Sequence, residues 1–163
     1  MDPKAKNFFT EIVCSISDAC WSPNGKYIFS RDFLTVKVWD PKMNTKPVAI
    51  LPIFDPIKSK LCDLYESEAI FDKFTLCNSP CSNYIATGLF NGNFHIIEKA
   101  GDFNQQFELN FNKKTIMKTI PKKCTDPIPS DYDTNKKVLC LAFHPQAQTI
   151  AIASLNCLYL YSA

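Results

Sequence analysis

The sequence predicts an all-β fold, about three blades of an incomplete β-propeller with a short helix in an insertion. Three segments lay over one another: SDACWSPNGKYIFSRDFLTVKVWD from Ser17, FDKFTLCNSPCSNYIATGLFNGNFHIIEK from Phe71 and VLCLAFHPQAQTIAIASLNCLYLYSA from Val138. Their register is constant. Pro23 stands sixteen residues before Trp39 and Pro145 sixteen before Tyr161, while Pro80 stands seventeen before Ile97, the extra residue falling in the Asn91-Gly92 turn. The third strand carries apolar groups on both faces, as in Leu34, Val36 and Val38 against Phe33, Thr35, Lys37 and Trp39, so each small sheet must be covered on both sides.

In chain order the repeats run over about 12–54, 70–111 and 138–163. Each opens with an apolar strand, turns at its proline, and continues in a strand around Tyr27-Ile28, Tyr84-Ile85 or Thr149-Ile150. Asn91-Gly92 carries the signature of a type I′ hairpin. A fourth, outer strand is read in KPVAILPIF (46–54) and in QQFELNF (105–111), whereas the third repeat stops at Tyr161 without one. Three blades without the rest of a ring leave apolar faces open at both ends, so the isolated chain is expected to be poorly soluble or to self-associate.

Two connections exceed a minimal repeat, because the three prolines lie 57 and 65 residues apart. In the first, Asp55 is placed to cap and Pro56 to open a helix over about 56–65, with Ile57, Leu61, Leu64 and Tyr65 at helical spacing. The second, about 112–137, mixes lysine with proline, serine and aspartate and reads as a mobile surface loop. Its lysines 113, 114, 118, 122 and 123 suit a solvated loop, with an acidic partner or a nuclear import signal as the alternatives.

Composition bounds the function. The chain has 163 residues, 46% of them hydrophobic, enough for one ordinary domain with a core. A net charge of +2 makes neither nucleic acid nor an anionic membrane the expected partner. The eight cysteines include no C-x-x-C pair, the opening MDPKAKNFF is no secretory segment, and only His95 and His144 could add imidazoles. Reduced thiols, a cytosolic or nuclear location, no metal and no cofactor are expected. His144 matches Ser22 of the first turn and so reads as a turn residue. His95 lies in a strand with no acidic neighbour to orient it, so no nucleophile, base and orienter come together and the chain is not expected to be an enzyme. Trp39 and Tyr161, in equivalent slots, read as packing residues between blades.

VKVWD and the repeat around it resemble WD40 propellers. Beyond that, NFFTEIVCSISDACWSPNGKYIFSRDFLTVKVWD, SKLCDLYESEAIFDKF and NKKVLCLAFHPQAQTIAIASLNCLYLY together resemble the regulatory B subunit, fifty-five-kilodalton class, of protein phosphatase 2A. The likeness covers the C-terminal part of that family, the last three blades of a seven-bladed ring, and Met1 falls at a position internal to it. It implies a non-catalytic regulatory subunit that works with the phosphatase scaffold and catalytic subunits and presents phosphoprotein substrates. It also implies a partly acidic substrate groove on the top face of the ring. The matching residues here are Phe8, Phe9, Ser15, Cys62, Tyr65, Glu68, Phe71 and Lys73, with Glu68 where the family commonly has aspartate. Independently of the family, Leu61 and Leu64 would seat the insertion helix while Tyr65, Glu66 and Glu68 face a basic peptide. The alternative is a truncated or divergent WD40 interaction scaffold without phosphatase partnership.

Overall fold

The computed structural model describes residues 8–43, 45–81, 83–98, 104–108 and 133–162. Within them, eleven strands form three antiparallel sheets. The first sheet is β1 (Asp18–Trp21), β2 (Ile28–Arg31), β3 (Thr35–Trp39) and β4 (Ala49–Pro52), in that order. The second is β5 (Leu76–Asn78), β6 (Tyr84–Gly88), β7 (Asn93–Glu98) and β8 (Asn104–Glu108). The third holds β9 (Val138–Phe143), β10 (Thr149–Ser154) and β11 (Cys157–Ser162). The repeat is visible atom by atom. Trp39, Ile97 and Tyr161 pair with Ile28, Ile85 and Ile150, the same position of the second strand in each sheet.

The turns repeat as well. Ser22 N–H donates to the Tyr27 carbonyl at 2.8 Å, Ser79 N–H to Tyr84 at 2.9 Å and His144 N–H to Thr149 at 2.8 Å. His144 is a turn clamp, its Nδ1 accepting from the amides of Gln146 and Ala147 at 3.0 and 2.9 Å. Asn91 and Gly92 have φ of 58° and 69°, the pair of left-handed residues that a type I′ hairpin needs.

Two apolar layers hold the sheets together. Between the first and second lie Phe29, Val36, Val38, Ile85 and Ile97, closed at one end by Phe33, Phe54, Phe74 and Phe90, whose ring centroids lie 5.2 to 6.3 Å apart. Between the second and third lie Ala86, Phe94, Val138, Leu141, Ile150, Ile152 and Tyr161. The second junction is so tight that a Cβ on Gly88 would overlap the Val138 carbonyl oxygen. Polar ties cross both junctions: Leu76 N–H donates to Asp18 Oδ2 at 2.7 Å, Asn78 Nδ2 to the Trp21 carbonyl at 2.9 Å, and Thr75 N–H to the Leu139 carbonyl at 3.0 Å.

Several expectations are corrected. The insertion is helical from Asp55, one residue early, and in two pieces, a 3-10 turn over Asp55–Lys60 and then helix α2 over Leu61–Glu66. The N-cap is Phe54, with no side-chain capping bond, because burial of Phe54 and Ile57 in the aromatic layer sets where the chain turns. The outer strands are shorter, Ala49–Pro52 and Asn104–Glu108. Tyr161 packs between sheets beside Phe94, but Trp39 lies half-buried on the far face of the first sheet, where its Nε1–H donates to Ser30 Oγ at 2.8 Å. No described sheet covers that face. The stretch read as a mobile loop lies outside the described residues except for 133–137, which are bonded to the second sheet.

The open faces are apolar: Trp21 and Ile50 are exposed on the first sheet and Leu158 and Leu160 on the third. Among the described residues no helix is long and apolar enough to cross a membrane.

Candidate functional site

Antiparallel order decides which segments meet. In each sheet the chain entering the first strand and the turn from second to third strand lie at the same end. One end of the stack therefore collects helix α1 (Phe8–Val13), the 32–34 turn, the insertion, Asn91-Gly92 and residues 133–137. Helix α1 was not foreseen, because FFTEIV is rich in residues that also favour strands. It is seated by Val13, which is buried and whose carbonyl accepts from Phe33 N–H at 3.0 Å.

On this end four rings converge. Phe8 and Phe9 lie 5.3 Å apart and stand 5.4 and 5.9 Å from Tyr65, which in turn lies 5.8 Å from Phe71. They are anchored from below. In α2 Leu64 is buried, which turns Tyr65 and Glu66 outward, and in the 3-10 turn Ala69–Phe71 the burial of Ala69 and Ile70 does the same for Phe71. Phe8, Tyr65 and Phe71 stay 64%, 40% and 50% exposed, a contiguous aromatic surface rather than a core.

Acidic residues flank the rings along the chain. Asp63, Glu66 and Glu68 come from the same helix and its end, Glu11 from α1, and all four are exposed. Glu68 has φ 60°, a left-handed conformation in which a side chain with a Cβ is strained. Its N–H donates to the Tyr65 carbonyl at 3.1 Å, closing the helix and reversing the chain between Tyr65 and Phe71. Lys73 reaches back across the face, its Nζ donating to Ser15 Oγ at 3.4 Å. Cys62 is exposed one helical turn before Tyr65. Phe8, Phe9, Tyr65 and Phe71 thus form one connected set of rings, with Glu68 in the chain between two of them, and Ser15 and Lys73 form a separate pair, Lys73 lying two residues beyond Phe71.

Two features of this end escaped the sequence. Asp32 is buried and organises the 32–37 segment, accepting from the amides of Leu34 and Thr35 at 2.9 and 2.7 Å, Thr35 Oγ1 at 2.7 Å and Lys37 Nζ at 2.6 Å. Its spacing to Thr35 was a usable sign, since aspartate accepts from amides two and three residues on. Asp72 pairs with Lys137 at 2.6 Å over a separation of 65 residues, which no local pattern could announce.

No family model matches the chain. Among curated proteins it is similar to serine/threonine-protein phosphatase 2A regulatory subunit phr2AB of Dictyostelium discoideum, 40% identical over 177 residues, covering 99% of this chain and 36% of that protein. It is likewise 39% identical over 169 residues to the protein phosphatase PP2A 55 kDa regulatory subunit of Drosophila melanogaster, covering 98% of this chain and 34% of that one. The chain is a homologue of the protein phosphatase 2A 55 kDa regulatory subunits.

It spans about a third of the length of these curated relatives. The relatives are named as regulatory rather than catalytic subunits of the phosphatase. Among solved structures it is similar to U3-55K, a WD40-type propeller, with a TM-score of 0.50 and 13% identity over 85% of this chain and 32% of that one. That likeness speaks for the fold alone. It agrees with three antiparallel sheets standing as consecutive blades.

Proposed function

We propose that this chain acts as part of a non-catalytic regulatory subunit of protein phosphatase 2A, together with the scaffold and catalytic subunits, and that its ring-lined end holds phosphoprotein substrates. The observation that supports this reading best is the convergence of Phe8, Phe9, Tyr65 and Phe71 from two separate segments into one exposed aromatic surface, with exposed carboxylates on the same two segments. Large rings anchor a partner at small entropic cost, because each has only two side-chain torsions to fix. The carboxylates of Asp63, Glu66 and Glu68 favour a segment carrying lysine or arginine and speed its encounter. Bound there, a phosphoprotein is held at high effective concentration beside the catalytic subunit, and the encounter becomes effectively intramolecular.

Tagged chain added to cell lysate should recover the phosphatase scaffold and catalytic subunits. Recovery of neither, alongside some other partner, would turn the reading toward an interaction scaffold without phosphatase partnership.

A further inference from the structure

We propose that Lys137, at the entry to the third sheet, is a positioning residue for the docking surface, acting through Asp72; this rests on the docking reading above. The third sheet gives no side chain to the aromatic surface. It nevertheless reaches the segment that carries Phe71 and Lys73. Asp72 lies between Phe71, which contacts Tyr65, and Lys73, which reaches Ser15, so each is one Cα step, about 3.8 Å, from the tied residue. The Lys137 ammonium meets Asp72 Oδ1 at 2.6 Å. Asp72 Oδ2 is buried and has no hydrogen-bond partner among the described residues, so this carboxylate depends on Lys137.

The other end of the tie is fixed from two sides. Ser154 Oγ donates to the Lys137 carbonyl at 3.0 Å within the third sheet. Val138 N–H, the next amide, donates to the Leu89 carbonyl just past β6 at 2.9 Å, and Gly92 N–H in the same turn to the Lys136 carbonyl at 2.5 Å. Lys137 therefore projects from a backbone that both sheets hold in place. The segment it grips, residues 72–75, has no helix or strand of its own, and while Phe74 is buried and Thr75 bonds the Leu139 carbonyl, residues 71–73 ahead of them hang between buried Ile70 and buried Phe74. A fixed donor on one side and an irregular segment on the other make the ion pair a register pin, the role in which partly buried charge pairs are best attested. Removing the charge frees the short stretch Phe71–Lys73, between buried Ile70 and buried Phe74, and leaves the groups on α1 and α2 in place.

The test uses the full chain and a fluorescein-labelled peptide of lysine and leucine, with amide hydrogen exchange read in parallel. Lys137→Gln should weaken the peptide about fivefold, in the range expected for directly coupled groups. It should also speed exchange over residues 69–75 while leaving β9 to β11 unchanged. The swapped pair Asp72→Lys with Lys137→Asp should restore both. Unchanged affinity and exchange in Lys137→Gln, or a loss that the swap does not restore, would overturn the proposal. If Lys137→Gln does not fold, Lys137→Met, which keeps the length of the side chain without its charge, takes its place under the same two outcomes. Should Tyr65→Ala also leave the affinity unchanged, the docking reading falls, and exchange over 69–75 alone decides whether Lys137 positions that segment.

Discussion

The Tyr65 ring lies 5.8 Å from the Phe71 ring, and the backbone between them reverses at Glu68, a residue held at φ 60°. Six positions apart in sequence, the two rings meet only because the chain passes through a conformation that suits glycine, asparagine or aspartate better than glutamate.

Glu68→Gly should therefore raise stability by about 0.5 to 1 kcal/mol, the gain from removing a strained Cβ less the added freedom of the unfolded chain. The same change removes a carboxylate from the chain between the two rings and should weaken a lysine-rich peptide. Thermal unfolding and a peptide titration read the two effects separately; a lower melting temperature would show that the left-handed turn costs nothing here.

Gly88 sits where the second and third sheets touch. An added methyl group would meet the Val138 carbonyl oxygen, which is backbone and cannot swing aside. Gly88→Ala should cost about 3 kcal/mol, the upper end for overpacking. It should also weaken the Val138-to-Leu89 bond beside it. The urea midpoint measures the loss, and an unchanged midpoint would mean the sheets are free to separate at this junction.

Arg31 is fully buried, its guanidinium 5.6 and 5.5 Å from the rings of Phe54 and Phe74, and none of its three nitrogens has a hydrogen-bond partner among the described residues. Desolvation pushes its pKa down from the usual guanidinium range to about 9, against the smaller opposing pull of Asp32. A base whose folded pKa is lowered costs stability in full below the folded value, and the cost fades as pH rises toward the unfolded one. Arg31→Met should thus stabilise the chain at neutral pH by about 1 to 2 kcal/mol, as replacing unpaired buried charge commonly does. That advantage should shrink as the pH is raised above about 9, toward the unfolded guanidinium's own range. Melting curves across this range check both statements, and a variant less stable than the parent at pH 7 would mean that the two rings outweigh the desolvation.

Much of the fold was legible because a repeat supplies its own control. Trp39, Ile97 and Tyr161 aligned in sequence, and they occupy one register position in three sheets. What a residue packs against was less legible: Tyr161 has a neighbouring sheet and Trp39 has none among the described residues, although their local patterns agree. The site was legible mainly through the resemblance to a known family, since α1 follows no clear helical period and is held by tertiary contacts at Val13. Asp72 and Lys137 stayed hidden because an ion pair between segments 65 residues apart leaves no trace in local spacing.

The most direct measurement is competition. Phosphate release from a phosphoprotein by phosphatase 2A holoenzyme carrying a 55 kDa regulatory subunit is followed as free chain is added in excess. If the surface of Phe8, Phe9, Tyr65 and Phe71 holds substrate, the chain should inhibit competitively, raising KM without changing kcat, and a Tyr65→Ala, Phe71→Ala chain that still folds should inhibit about tenfold less well. No inhibition, or equal inhibition by the parent and the doubly substituted chain, would contradict the assignment of this surface to substrate docking.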